Sequence, residues 1–533
     1  MVEPNGEEDQ PVGTELTMTT ATEGAAILFR VDGGEWQTYD ETGKPKLTKL
    51  PCDVEAKAVL NGKESAVMLY HYAAGTVENV KMTPNGGSIY IPAETEKIFL
   101  SCETEGATIY YKLSTDGEVF PDTYTEYTEP IVVNKGFEKL TVRAYAVKDG
   151  FSDSAEIERL FTERSKAEFD IYFGQLHSHT DISDGAGSVE DAFAHASNVE
   201  GLDFLAVTDH SNSFDGEGNG VLSEDGSAIS SEWKLGHETA RKYTTEDFVG
   251  LYGFEMTWSN GLGHINTFNT PGWQSRTQTQ YKTYGTALQN YYAALATVPE
   301  SISQFNHPGT TFGDFSDFGH YSAGSDDLIT LIEVGNGEGA IGSSGYFPSY
   351  EYYTRALDKG WHVAPTNNQD NHKGLWGDSN TGRSVILADS LTEENIYDAL
   401  RNYRVYATED NDLHIYYTLD GSIMGAQLSS SDVGEKVAVS VKLSDGTDSG
   451  EAKVEVIVNG GYSAASKTAA CNGTVTFEVP SIYNYYYIKI TQADGDIAVT
   501  APVWVGETLK LGISAVECGT STPVTGEELT IST

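Results

Sequence analysis

"FDIYFGQLHSHTDISDGAGSVEDAFAHASNVEG", residues 169–201, is where the pattern of this chain changes. An apolar run, "IYFGQL", gives way to a polar stretch holding His177 and His179, and then to "SVEDAFAHASNVEG", whose apolar residues fall at helical spacing. Ser188 is placed to cap that helix, and Glu190 and Asp191 fall in its positive first turn. A strand, a polar loop and a helix in succession make a βα unit. Side chains of an extended segment alternate with period two, so His177 and His179 face the same way. Two imidazoles on one side of a strand end suit a single metal ion.

Upstream, residues 14 to about 163 read as β: short alternating segments such as "TELTMTT", "KIFLSC" and "LTVRAYAV" are split by Gly, Asp, Asn and Pro turns. The region repeats. "GAAILFRVDGGEW" at Gly24 returns as "GATIYYKLSTDGEV" at Gly106, an offset of 82, and each copy is followed by a strand with an alanine-flanked basic residue, in "VEAKAVLNG" and "LTVRAYAVKDG". Two copies predict two β-sandwich modules of roughly 75 residues each. They resemble the small sandwich repeats appended to chitobiases and other secreted bacterial hydrolases. That resemblance implies attachment to a cell wall or glycan, with a plain spacer as the alternative.

Downstream, to about Asp410, apolar runs alternate with helical stretches such as "SSEWKLGHETARKY", "SYEYYTRALDKG" and "TEENIYDALRNY", which predicts a parallel sheet or barrel. The polar residues fall at the ends of those runs. "IYFGQL" delivers His177 and His179, "DFLAVT" delivers Asp209 and His210, and "FVGLYGF" delivers Glu255. "GLGHINTF" carries His264, "SISQFN" delivers His307, and "WHVAPTNNQ" delivers Asp370 with His372 after it. In a (βα) barrel these ends share one face. Histidine nitrogens and carboxylate oxygens together suit zinc, manganese or iron, and a glutamate among histidines is placed to bridge two ions.

The ordered set "HSHTDISDG", "TDH", "GFE", "GHIN", "NHPG" and "DNH" resembles the PHP (polymerase and histidinol phosphatase) family. With "TGRSVILADSLTEENIYDALRNYRVYATED" it is most similar to the carbaryl-hydrolase-like subgroup. The resemblance implies a multidomain chain: a central α/β, distorted (βα)7 TIM-like barrel, with all-β sandwich modules before and after it. It implies two to three divalent metal ions. His177, His179, Glu255 and Asp370 would hold one, Glu255, His264 and His307 a second, and Asp184, His210 and His372 a third. It implies a metal-dependent hydrolase, first of all a phosphoesterase on a small phosphorylated substrate, with a carboxylic or carbamate ester hydrolase as the alternative. An extracellular glycan-binding or adhesion protein with a degenerate barrel is the reading from another class. Asp209 is expected to orient a ligand or to protonate the leaving group, and Arg383 to bind a substrate oxyanion. Asn266, Asn306 and Asn336 are candidates to line the site, and Trp258 and the loop "SNSFDGEGNGVLSEDGS" to shape it. His195, His237 and His320 are expected at the surface, and His71, His362 and His414 away from the chemistry.

The expected domains are a linker at 1–13, sandwich repeats at 14–80 and 81–164, the barrel at 165–411, a C-terminal sandwich at 412–511, and the start of a further β module at 512–533. The 533 residues carry 33 Lys+Arg against 79 Asp+Glu, a formal net charge of −46. Such a surface repels nucleic acid and anionic lipid. It also hinders an anionic substrate unless cations screen it. The four cysteines, Cys52, Cys102, Cys471 and Cys518, lack the close spacing of a cysteine zinc site. No run reaches the ~20 apolar residues of a membrane span. The start, "MVEPNGEEDQPVG", reads as an acidic linker without a signal peptide, and "EELTIST" stops inside a strand-like pattern. The expectation is a secreted or cell-surface bacterial protein whose leader is removed and whose natural chain continues.

Overall fold

The computed structural model describes residues 2–506, apart from 5–9, 11, 23, 116–118, 260 and 448–449. The expected β module at 512–533, Cys518 within it, and much of the linker at 1–13 lie outside the described residues.

The N-terminal third holds two small β modules with separate cores. In the first, Ala26–Val31 pairs antiparallel with Cys52–Leu60, and the latter with Met68–Tyr72. Leu16, Phe29, Val54 and Tyr72 fill its centre, and Val2 joins them. In the second, Thr108–Ser114, Lys139–Val147 and Ile157–Arg164 pair antiparallel in turn. They cover a core around Ile98, Val133, Val142 and Phe161. The sequence repeat has a physical counterpart on the outer faces. Arg30 and Lys57 of the first module both stack on Trp36, at 4.7 and 4.4 Å from its ring centre. Lys112 and Arg143 of the second stack on Phe120 at 5.4 and 4.2 Å. Each module thus closes its outer face with an aromatic ring under two cations.

From Phe169 to Val505 one continuous apolar core runs through the rest of the molecule. The expected (βα)7 barrel is not what it surrounds. Two open sheets stand in its place, and strands dominate the whole chain. In one sheet Asp170–Gln175, Phe204–Val207 and Val249–Tyr252 run parallel, but Arg383–Ala388 and then Val405–Thr408 join antiparallel. In the other, Phe254–Trp258, Gly263–Phe268 and Ile302–Asn306 pair antiparallel in turn, whereas Ile329–Asn336 and Ala364–Asn368 add on parallel. The physical reason is the connections. A parallel neighbour needs a crossover of a dozen or more residues. The chain turns back between Trp258 and Gly263 in a few residues and so makes a hairpin.

Helices cover the outer faces where the sequence places them. Val189–Ala196 begins with a capping box between Ser188 and Asp191, and Ser231–Tyr243 is capped by Ser230. Glu393–Arg401 is capped by Thr392. The C-terminal sandwich is not a separate bead. Val405–Thr408 pairs with Ile497–Thr500, which pairs with Tyr485–Thr491, so one sheet passes from the central region into the last module. Among the described residues no helix is long and apolar enough to cross a membrane, and Cys52 and Cys102 are free thiols.

Candidate metal centre

The strands end against one another at a single place, and the backbone is stitched there. Ser178 bridges to Asn371, and His210 to Glu255. His179 N–H donates to Asn371 O at 2.9 Å, and Glu255 N–H to Asp209 O at 3.0 Å. The loop after His179 folds back tightly. A Cβ on Gly185 would come within 2.5 Å of the His179 carbonyl carbon, so that position requires glycine. His307 and Asp370 hold positive φ of 28° and 49°, strain that a non-glycine residue adopts only where its surroundings enforce it.

All nine residues expected as ligands meet at this place. Glu255 sits at the centre, on the strand Phe254–Trp258. Its Oε1 lies 3.3 Å from His177 Nε2, 3.2 Å from His264 Nδ1 and 3.5 Å from His307 Nε2. Its Oε2 lies 2.5 Å from His210 Nδ1. Asp370 Oδ1 lies 3.2 Å from His177 Nε2 and 3.0 Å from His179 Nε2. Asp184 Oδ1 lies 3.5 Å from His210 Nε2 and 3.2 Å from His372 Nε2. The donor atoms of His179, Asp184, His210 and His372 fall within 4.8 Å of one another, as do those of His177, His179 and Glu255 and those of Glu255, His264 and His307.

The donor chemistry fits cations. His177 Nδ1–H donates to Glu333 Oε1 at 2.9 Å, and His179 Nδ1 faces Ser183 Oγ at 3.4 Å. With Nδ1 protonated, each ring turns an Nε2 lone pair inward. The two Nε2 atoms stand 3.2 Å apart, both against the same Asp370 oxygen, which is buried with no hydrogen-bond donor. Ring nitrogens turned toward one another and toward an oxygen anion suit a cation between them. Burial works against charge on Glu255, yet His264, His210 and His177 hold its carboxyl well below the usual range. Among the described residues no lysine or arginine pairs with the cluster's carboxylates; histidines alone do.

Other residues take different roles from those expected. Arg383 is not in the site. Its guanidinium donates to the carbonyls of Asn380 and Gly382 at 2.9 and 2.8 Å and lines a separate cavity with His195, Glu200 and Asp378. An arginine buried beside a loop finds backbone acceptors before it finds substrate. Asp209 is fully buried and accepts from Thr180 N–H, Thr180 Oγ and Ser183 Oγ at 2.8, 2.7 and 2.6 Å, so it braces the loop that carries His179. Asn306 Nδ2 donates to Glu255 Oε1 at 2.8 Å and to Asn266 Oδ1 at 2.9 Å, and Asn336 Nδ2 to Glu333 Oε2 at 3.0 Å. Asn306 and Asn336 thus hold carboxylates, and Asn266 holds Asn306 while donating to Leu176 O at 3.1 Å. Trp258 is core, its indole N–H donating to Tyr281 O. His237 is not at the surface but packed between Trp233 and Tyr252, at 4.5 and 5.3 Å between ring centres.

Glu333 is the residue that sequence reasoning missed. It accepts from His177 Nδ1, the His307 N–H at 2.7 Å and Asn368 Nδ2 at 2.9 Å, with no exposed surface. The signal was present: a glutamate inside the apolar run "LITLIEVGN" is a buried charge that requires several partners. Phe312 was also missed. It stands at the mouth, 45% exposed, with its ring 5.1 Å from His264 and 4.7 Å from His307.

Comparison with known proteins bears on the modules more than on this centre. Residues 84–158 match the chitobiase/beta-hexosaminidase C-terminal domain family. An uncharacterised protein of Chlamydia pneumoniae is 23% identical over 383 residues, 63% of this chain and 57% of that protein, so the chain spans little more than half the length of that relative. Among solved structures, the fibronectin(III)-like modules of Clostridium thermocellum CbhA align with 31% of this chain and 94% of theirs, at 16% identity and a TM-score of 0.14. A beta-glucuronidase of Parabacteroides merdae aligns with 96% of this chain and 81% of its own, at 11% identity and a TM-score of 0.21. Likenesses that weak carry no argument about fold or activity. The matched family is a β-sandwich domain, not the PHP family. PHP membership, the TIM-like barrel and the phosphoesterase activity that came with them are therefore withdrawn. Histidines and carboxylates at strand ends define a type of centre, and open mixed sheets deliver them as well as a barrel does. The matched β module fits attachment to glycan.

Proposed function

We propose that this chain is a divalent-metal-dependent hydrolase of neutral carboxylic or carbamate esters. The observation that carries the reading is the inward pair of His177 and His179 Nε2 atoms, 3.2 Å apart against Asp370 and Glu255, with their Nδ1 sides engaged by Glu333 and Ser183. His177, His179, Glu255 and Asp370 would hold one ion, Glu255, His264 and His307 a second, and Asp184, His210 and His372 a third. Two to three zinc, manganese or iron ions in such a centre supply Lewis acidity, which polarises a carbonyl and brings the pKa of a bound water toward neutrality.

The remaining roles belong to the chain. Glu255 directs its two oxygens to different histidines and so ties the subsites together. Glu333 and Ser183 fix the imidazole tautomers. Asp209 holds the His179 loop, and Asn306 keeps Glu255 in place. His372, 31% exposed at its side chain, and Asp184 mark the open side from which substrate enters. Phe312 offers an apolar wall beside His264 and His307. A neutral ester is favoured over a phosphate because Arg383 is turned away and no lysine or arginine pairs with the cluster's carboxylates among the described residues. The β modules would hold the protein to carbohydrate or cell wall outside a bacterial cell. Their family match also favours a second reading, a glycan-binding protein without catalysis.

The test compares p-nitrophenyl acetate, p-nitrophenyl phosphate and bis-p-nitrophenyl phosphate on zinc- or manganese-loaded protein, beside His179→Ala. Acetate cleavage lost in the variant supports the proposal. Phosphate cleavage lost in the variant overturns the ester class, and equal rates in both proteins on every substrate favour the binding reading.

A further inference from the structure

A cavity of about 280 Å³ lies where the second β module, the central region and the C-terminal sandwich meet. That is close to the lower end of the ~300–1,000 Å³ typical of small-molecule sites. Lys81 and Arg164 line it from the module, Arg401 and Arg404 from the central region, and Met424 from the sandwich. The chain has 33 Lys+Arg against 79 Asp+Glu, yet these four cations and, among the described residues, no carboxylate line the cavity.

Three of the cations are answered by carboxylates behind them. Lys81 Nζ lies 3.0 Å from Asp327 Oδ1, Arg401 Nη2 lies 3.6 Å from Glu300 Oε2, and Arg404 pairs with Asp398. Arg164 is the exception. It is 8% exposed, and among the described residues no carboxylate pairs with it. Its Nη1 donates to the carbonyls of Lys166 and Ala167 at 2.8 and 2.7 Å, while its Nε is buried with no hydrogen-bond partner. The Phe169 ring centre lies 3.7 Å from its guanidinium carbon and 4.4 Å from that of Arg404, so two cations crowd one ring. Burial, then the Arg404 charge, lower the Arg164 pKa. A buried charge in this state is unfavourable until an anion answers it.

The second observation is Ser88. Gly87–Tyr90 pairs parallel with Ile157–Arg164, and Tyr90 stands opposite Arg164. Side chains two apart share a face, so Ser88, Tyr90 and Arg164 lie on one side of the sheet, and all three line the cavity. The Ser88 hydroxyl is buried with no hydrogen-bond partner. A guanidinium N–H and a hydroxyl, both unpartnered on one sheet face, supply donors for the two oxygens of one anion.

We propose that Arg164 and Ser88 bind a small monocarboxylate with an apolar body in this cavity. The carboxylate takes the free edge of Arg164 and the hydroxyl of Ser88, and the body rests against Met424. One uncompensated cation matches a single negative charge better than the near-double charge of a phosphate. The room beyond the donors, with buried Phe169 and Met424 on its wall, matches more than a bare ion. The site is independent of the proposed hydrolase.

The experiment uses the full chain, stripped of metal with chelator and dialysed, so that the histidine centre offers no cation to a carboxylate. It is titrated calorimetrically with sodium benzoate, and separately with benzamide and with inorganic phosphate, with thermal unfolding in parallel. Expected is one benzoate per chain with a Kd at or below about 1 mM, a rise in Tm, and binding at least about tenfold weaker for benzamide and for phosphate. Arg164→Gln weakens benzoate binding at least about tenfold, through loss of a charge-assisted bond. Ser88→Ala weakens it at least about threefold. Without benzoate this second variant melts no lower than wild type, because its hydroxyl has no hydrogen bond to lose, so it decides the matter even if Arg164→Gln fails to fold. Absence of benzoate binding by the wild-type chain, or unchanged affinity in Ser88→Ala, overturns the site. Benzamide or phosphate bound as tightly as benzoate overturns the carboxylate assignment.

Discussion

Replacing Glu333 by Gln tests how far the centre depends on a residue that lies behind it. The carboxylate takes His177 Nδ1, Asn368 Nδ2 and Gln304 Nε2 on Oε1, at 2.9, 2.9 and 3.3 Å. It takes the His307 N–H and Asn336 Nδ2 on Oε2, at 2.7 and 3.0 Å. A glutamine best keeps its oxygen on the first side and turns its NH2 to the second. Asn336 then flips to accept, but a backbone N–H has no such freedom, so the His307 N–H meets another donor in a buried place. One unsatisfied donor costs about 1–3 kcal/mol, and loss of the anion beside His177 weakens a charge-assisted bond by about 1 kcal/mol. The sum is about 2–4 kcal/mol of folding stability. His307 and His177 both shift, so affinity for zinc or manganese falls about 10–100-fold. Urea unfolding of the stripped protein reads the first quantity, and calorimetric titration against a competing chelator reads the second. Metal affinity within twofold of wild type, with unfolding free energy within about 0.5 kcal/mol, would refute the argument.

Arg383→Lys leaves kcat/KM for the ester substrate within twofold while lowering stability by about 1–3 kcal/mol, since the guanidinium serves the carbonyls of Asn380 and Gly382; steady-state kinetics and urea melts separate the two. Phe312→Ala raises KM for p-nitrophenyl acetate about 3–10-fold with kcat little changed, because one apolar wall is removed at the mouth. Burial, with Arg241 nearby, pushes the His237 imidazole down to about 4. A histidine whose folded pKa is depressed contributes stability that is complete above the ordinary value near 6.5 and is lost as pH falls from there toward 4. The loss is about 1–3 kcal/mol. His237→Phe keeps a ring against Trp233 and Tyr252, and its denaturation midpoints should fall less than those of wild type between pH 7 and pH 4.5.

Much of the centre was legible in the sequence because its donors end apolar runs. A strand that stops at "GQL" or "QFN" must put its next polar side chains at the sheet's end, and His177, His179 and His307 are there. Glu333 was hidden for the opposite reason: it lies within a run, where an apolar pattern reads as core and a single glutamate draws no notice. Arg383 was misread because its neighbours in sequence are loop residues, while its partners are the carbonyls of that same loop. Strand direction was the larger failure. Periodicity tells strand from helix but not parallel from antiparallel. The short turn between Trp258 and Gly263, and the antiparallel pairing of "IYFG" with "SVIL", were readable only in three dimensions. The helix start at Ser188 was the reverse case. A cap depends on residues three apart, and local chemistry fixes it.

The central claim is that the histidine and carboxylate cluster holds metal. The direct measurement is elemental analysis of the chain after chelation, reloading with zinc or manganese and removal of free ions, for wild type beside the double variant His177→Ala and His179→Ala. The account predicts two to three ions per wild-type chain and a loss of at least one in the variant, with its far-UV circular dichroism unchanged. Fewer than one ion per wild-type chain, or equal content in the two proteins, would contradict it.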